Sequence, residues 1–204
     1  MKIINIKSKN KKYEIGFIDG TSLTISEETK VQFNLFKNKE IDEITFSHIE
    51  SENRINELYL LATRRLNYTN LSIAKMEEFL KKKGANKKEI KQIIDRLNSN
   101  SLISEDEIIK NVISYCDQKH YGFNRIIKML NQKQISKNKI EKLNVDLSRE
   151  NKEALLMLER LIKRYKGKEI VNLKQALYYA LIRYGFDENI AISSISKRYS
   201  SSFE

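Results

Sequence analysis

The 204-residue chain has no proline, six glycines, one cysteine and two histidines, and each shortage excludes something. A fold built mainly of loops and turns lacks its usual punctuation here, so the composition favours helix. The single cysteine, Cys116, excludes an internal disulfide. It lies in IIKNVISYC, in phase with Ile109, Val112 and Ile113, the pattern of a small buried hydrophobe. His48 and His120 sit in unrelated contexts, so no Cys/His cluster has metal-ligand spacing. Neither GxxxxGK[ST] nor GxGxxG occurs, which leaves a phosphate-cradling loop unsupported. No apolar run reaches 18 residues, and MKIINIKSKNKKYEI has no long apolar stretch ahead of its charges. Neither a membrane span nor a signal peptide is expected, and the expected location is cytoplasmic. The acidic run Glu105-Asp106-Glu107 reads as the first turn of a helix, where carboxylates are favoured, rather than as a metal site. No cofactor is expected. These absences argue against an enzyme, although a dispersed site without a motif would leave no trace of this kind.

What is present is basic charge and a repeat. The formal net charge is +11, and charged residues make up 32% of the chain. Residues 1–50 hold eight basic and eight acidic side chains, so the whole excess belongs to the remainder. Such a field favours nucleic acid or an acidic protein surface. The repeat recurs about every 50 residues. MEEFLKKKGANKKEIKQIIDRL from Met76, IIKMLNQKQISKNKIEKLNVDL from Ile126 and LYYALIRYGFDENIAISSISKRY from Leu177 align with Leu80, Leu130 and Leu181 as equivalents. Four residues after each comes a helix-ending position (Gly84, Gln134, Gly185), then Ala85, Ile135 or Phe186. An apolar helix restarts at Ile90, Ile140 and Ile190. Stacked helical units usually present a binding surface rather than a catalytic pocket.

Residues 1–44 differ from the rest. Ile4, Ile6, Tyr13, Ile15 and Phe17 alternate with polar residues, as strands do. Asp19-Gly20 is a hairpin signal, Leu23 and Ile25 continue a strand, and Ser26 opens a short helix carrying Val31, Phe33 and Leu35. From about residue 45 the periodicity is helical. The first long helix is expected to bury Ile55, Leu58, Tyr59, Ala62 and Leu66. Ser72 caps the next helix, which ends at Gly84, and a third uses Ile90, Ile93, Ile94 and Leu97. A second unit opens at Ser104 and closes with Ile140, Leu143 and Leu147. A third runs through Ala154, Leu155, Leu158, Leu161, Ile162 and Tyr165, continuing after Gly167. The expected fold is therefore mainly α: three tandem three-helix repeats (45–103, 104–147 and 148–204) in an elongated curved stack. A small N-terminal β-hairpin/α module (1–44) precedes them.

Basic residues recur at matching helix positions. Lys81, Lys82 and Lys83 end the second helix of the first unit; Arg125, Lys128 and Lys133 lie on its equivalent in the second, and Arg183 on that in the third. Around them lie Arg64, Arg65, Arg96, Lys119, Lys163, Arg164, Lys166, Lys197 and Arg198. The ordinary fate of each is a solvated face or a helix C-terminus. Together they would form a basic stripe for phosphates or an acidic protein groove. Tyr68, Tyr121, Tyr165 and Tyr184 lie near these charges, placed for packing or for stacking on bases.

These residues resemble the RecX family, bacterial regulators of the RecA recombinase. Arg64-Arg65, Ser72 and LKKKG from Leu80 match its first unit; KHYG from Lys119 and IIKMLNQKQI ending at Ile135 match its second; LIRYGF from Leu181 matches its third. The N-terminal strands resemble the extension of RecX proteins of Gram-positive type. Departures are a longer loop at 67–71, Ser104-Glu105 in place of paired aspartates, and Gln134 where glycine is usual. The resemblance implies a non-enzymatic monomer in the groove of the RecA–DNA filament. There it would bridge protomers and inhibit ATP hydrolysis, strand exchange and repressor cleavage, within homologous recombination, DNA repair and the SOS response. On this reading the basic residues named above are the RecA- and DNA-binding face. A protein that binds DNA directly through the same face is the alternative, and an enzyme acting on nucleic acid is a third.

Overall fold

The computed structural model describes residues 1–10, 12–165 and 170–200. They divide into two compact units, one of residues 1–70 and 76–103, the other of residues 71–75 and those from Ser104 onward.

The N-terminal unit begins with an antiparallel sheet of β1 (Ile3–Lys9), β2 (Lys12–Phe17) and β3 (Ser22–Ser26), in that order. The β2–β3 turn is tied by Asp19, whose carboxylate accepts from the Thr21 hydroxyl at 2.7 Å and its N–H at 3.0 Å. Those bonds, the hydroxyl's first, hold the Asp19 carboxyl below its ordinary range. The expected alternation of Ile4 with Ile6 is broken by a bulge. Ile3 pairs with Phe17 and Asn5 with Gly16, which leaves Ile4 as the extra residue. Ile3 is therefore fully buried and Ile4 is 44% exposed.

Ser26 caps α1 (Glu27–Gln32) by accepting from Thr29 N–H, as its position implies. Helix α2 (Glu43–Tyr68) starts at the Asp42 cap and is longer than expected. Its first half closes the sheet's core: Ile49 packs with Ile3, Ile15, Phe17, Ile25, Leu35 and Ile41. Its second half buries Ile55, Leu58, Tyr59 and Ala62, while Leu66 is only half-buried. The strands are thus completed by the helix that opens the first repeat. Packing against a helix is one of the ways so small a sheet becomes stable. Helices α3 (Ile73–Lys82) and α4 (Lys87–Ser99) follow.

The C-terminal unit contains α5 (Glu105–Lys119), α6 (Phe123–Gln132), α7 (Lys137–Ile140), α8 (Leu147–Arg164), α9 (Ile170–Arg183) and α10 (Glu188–Ser200). Ser104 caps α5 by accepting from Glu107 N–H. One core cluster joins Ile108, Ile109, Val112, Cys116, Ile126, Leu130, Ile135 and Ile140. A second joins Ala154, Met157, Leu158 and Leu161 to Leu177, Leu181, Phe186, Ile190 and Ile195. On α8 the buried stripe contains Met157, whereas Leu155 lies at the surface. The expected continuation at Gly167 falls outside the described residues.

The three aligned positions share one physical feature, the same helix ending. Leu80, Leu130 and Leu181 are each fully buried. The N–H groups of Ala85, Ile135 and Phe186 donate to their carbonyls, at 3.1 Å in every case. One residue earlier, Gly84, Gln134 and Gly185 take φ of +80°, +56° and +97°. Their N–H groups donate to the carbonyls of Lys81, Asn131 and Ile182 at 2.9, 2.9 and 3.0 Å. This paired pattern with an apolar contact across it is the Schellman ending, and it re-aims the chain for the next helix. Ser101 and His120 end α4 and α5 in the same way.

One element departs from the pattern. The helix expected to close the second unit, α7, is a single turn, and Leu147 opens α8 at 63% exposure instead of joining that expected core. Ser136 at its start makes no cap bond; its hydroxyl donates to the buried Glu105 carboxylate at 2.9 Å. Asp146 then accepts from Arg149 N–H and starts α8 immediately.

Candidate binding surface

The basic residues expected to share one face have three distinct fates. Arg96 is structural. It projects from α4 into the N-terminal unit, donates to Asn56 Oδ1 at 2.7 Å, pairs with Glu28, and lies 4.0 Å from the centre of the Tyr59 ring. Asn56 in turn donates to Thr29 Oγ1. Buried Asn53 accepts from Ser26 N–H and donates to the Thr24 carbonyl. The network satisfies polar groups that would each cost about 1–3 kcal/mol if left unpaired.

A second group is exposed and dispersed. Arg64 and Arg65 lie in the last turns of α2, and Arg64 lines a cavity that also holds Glu27, Glu28 and Glu57. Lys81, Lys82 and Lys83 are solvated at the end of α3, where Lys81 shares a depression with Glu77 and Asp95. Lys128 and Lys163 are exposed on α6 and α8, and Lys197 and Arg198 lie in the last turn of α10. Lys133 is half-buried, its carbonyl accepting from Ser72 Oγ at 2.6 Å. Lys166 falls outside the described residues.

The third group converges. In the C-terminal unit the rings of Tyr121 and Tyr184 stack, with centroids 5.6 Å apart and planes 18° from parallel. The Arg125 guanidinium lies 5.7 Å from the Tyr121 centroid and that of Arg183 6.0 Å from the Tyr184 centroid. Arg164 Nη1 donates to the Tyr184 hydroxyl at 3.4 Å. The two tyrosines line a cleft of about 270 Å³ together with Lys119, Arg160, Arg164, Met157 and Leu161. No carboxylate lines it. Among the described residues, Lys119, Arg125, Arg160, Arg164 and Arg183 form no salt bridge. Like charges gathered without partners repel, so the cluster leaves a standing attraction for an anion.

The backbone fixes this cluster. Gly122 N–H donates to the Tyr184 carbonyl at 3.1 Å, and Asn124 N–H to the Gly185 carbonyl at 3.0 Å. The two chains approach so closely that a Cβ on Gly122 would lie 2.6 Å from Phe186 N, and one on Gly185 2.6 Å from Arg125 Cβ. The two glycines thus hold neighbouring Tyr121 and Tyr184 in register. Sequence reasoning missed Arg160. It lies one turn before Arg164 on α8, and that i, i+4 pairing was the available signal.

Beside the cleft, Arg149 donates to Asp117 Oδ1 through Nε at 2.7 Å and to Glu150 Oε1 at 2.8 Å, and His120 pairs with Glu153. Burial pushes the Glu150 carboxyl above its ordinary range, against the pull of Phe123 N–H and Arg149. That carboxylate supplies α6 with the cap that Gly122, lacking a side chain, cannot. Burial likewise raises the Cys116 thiol, which is fully enclosed and packs 3.8 Å from Met129 Sδ. The carboxylates of Glu105 and Asp106 are engaged by Ser136 and Lys139. Among the described residues no group of His, Cys, Asp and Glu is arranged to hold a metal ion, and no helix is long and apolar enough to cross a membrane.

Fold and surface together define a mainly helical protein with a small N-terminal sheet and a basic, aromatic cleft. No family model matches the chain. It is 25% identical to the regulatory protein RecX of Bacillus subtilis, over 96% of its own length and 75% of the relative's. It is 27% identical to the RecX of Streptococcus pneumoniae serotype 19F, over 82% of its own length and 65% of the relative's. A crystal structure of regulatory protein RecX superposes with a TM-score of 0.74 at 20% identity, covering 93% of this chain and 96% of that one. The RecX structure from Lactobacillus salivarius gives 0.62 at 22% identity, covering 70% and 95%. In sequence and in fold the chain is similar to RecX proteins.

Proposed function

We propose that this protein is a non-catalytic regulator of RecA. It binds the RecA–DNA filament in its groove and modulates, mostly by inhibition, ATP hydrolysis, strand exchange and coprotease activity. The observation that carries this reading is the unpaired basic cluster around Tyr121 and Tyr184 in a chain whose named relatives are regulatory proteins. A filament groove offers acidic protein surface and phosphates, and both complement such a cluster. The surface includes the cleft residues together with the exposed lysines and arginines named above. The protein acts in the cytoplasm as a monomer, each helical repeat adding contact surface.

The test is single-stranded-DNA-dependent ATP hydrolysis by the RecA of the same organism, with this protein added below one copy per RecA. Suppression at such ratios supports the reading. Unchanged hydrolysis at every ratio, together with tight binding to DNA alone, replaces it with a DNA-binding protein acting through the same face.

A further inference from the structure

The cleft lined by Tyr121 and Tyr184 differs from three other cavities in its lining. Three further cavities carry carboxylates: Glu150 and Asp187 in one, Glu77 and Asp95 in the next, and Glu27, Glu28 and Glu57 in the last. The cleft has none, and its charged lining is Lys119, Arg160 and Arg164. Its remaining wall is Tyr121, Tyr184, Met157 and Leu161. We infer that this cleft is a binding site for a nucleoside di- or triphosphate, with the phosphates on the three cations and the base against Met157 and Leu161.

The argument is one of charge, shape and chemistry. Arginine recognises phosphate oxygens through paired N–H donors, and two arginines with a lysine match a di- or triphosphate rather than a single carboxylate. A volume of about 270 Å³ lies near the lower end of small-ligand sites, so it suits a phosphate chain with part of its nucleoside. The faces of Tyr121 and Tyr184 are taken by each other and by Arg125 and Arg183, so the rings offer edges and hydroxyls, and Met157 and Leu161 supply the apolar surface for a planar base. An acidic peptide would use the cations and leave Met157 and Leu161 uncovered. The Gly122–Gly185 backbone contact makes the site preformed, which lowers the ordering cost of binding. The inference goes beyond the filament reading and does not depend on it.

The test is isothermal titration of the full chain with ADP at low salt, without RecA or DNA. The expected result is saturable binding of one ADP per chain, competed by pyrophosphate. Arg160→Glu and Arg164→Glu should each weaken binding about tenfold or more, as loss of a charge-assisted contact does. Arg160→Lys should retain most of the affinity, and Lys81→Glu, in the other unit, should retain all of it. If Arg160→Glu does not fold by circular dichroism, Arg164→Gln serves the same comparison. Absence of ADP binding up to millimolar concentration overturns the inference, as does equal affinity in the folded charge variants. A chain that binds an oligothymidylate but not ADP also overturns it, and leaves the cleft to the polymer. The filament reading uses the same cleft, but the titration contains neither RecA nor DNA, so loss of ADP binding and loss of RecA inhibition are read separately.

Discussion

Gly84 and Gly185 hold the same left-handed position in two helix endings, yet they should respond differently to an added methyl group. At Gly84 a Cβ would meet only Arg54 Nη2, at 3.8 Å, so Gly84→Ala costs the backbone term alone, about 1 kcal/mol. At Gly185 the same Cβ would strike the Arg125 backbone and side chain, so Gly185→Ala costs severalfold more and disturbs the Tyr121–Tyr184 stack. Urea denaturation of the two variants checks the order, and equal losses would contradict it. Glu150 adds a pH signature. Its carboxyl is raised in the folded state by burial, so the stability it permits is full below the unfolded pKa and declines as pH rises through the folded one. Glu150→Gln removes that decline. The variant should therefore gain on the parent as pH is raised from acid toward neutral, and a pH-independent difference in denaturation midpoint would contradict this. Some of this detail was legible in the sequence. Register alone placed Gln134 with the two glycines, because the leucine four residues earlier and the apolar residue after it kept the pattern. The bulge at Ile4 was not legible, since it depends on how β1 pairs with β2 and not on the alternation within β1.

At the scale of elements, the helices read well where an apolar stripe and a cap coincide. Helices α3, α4 and α5 begin and end close to the residues that the periodicity implied. The short α7 did not: it ends after one turn, and Ser136 before it donates to Glu105 on another helix and makes no cap bond. The role of Arg96 was hidden for a similar reason. Buried Asn53 and Asn56 look like surface residues in sequence, and only the packed α1, α2 and α4 show them as one network. Arg96→Ala should therefore lower stability by about 2 kcal/mol, through lost bonds to Asn56 and Glu28. Thermal denaturation measures this, and an unchanged midpoint would return Arg96 to the binding surface. The exposed lysines at the end of α3 should behave in the opposite way. Reversal of Lys81, Lys82 and Lys83 to Glu should weaken RecA inhibition while leaving the helical circular dichroism intact. Unchanged inhibition would remove that cluster from the interface.

At the scale of the molecule, one part of the basic excess noted in the sequence is gathered in one place. The N-terminal unit spends Arg96 internally and sets Arg64 and Lys81 beside carboxylates, whereas the C-terminal unit gathers five cations around two stacked tyrosines. The repeat announced a helical binding protein, but its equivalences did not point to the cleft. That site arises where the turn at Gly122 meets the turn at Gly185, two positions that the alignment does not equate. The most direct measurement is RecA ATP hydrolysis on single-stranded DNA, titrated in parallel with the parent protein and with an Arg160→Glu/Arg164→Glu variant of matched helical content. The parent should suppress hydrolysis below one copy per RecA, and the variant should need at least about tenfold more protein for the same effect. Equal suppression by both would contradict the assignment of the cleft to the interface, and no suppression by the parent would contradict regulation of RecA itself.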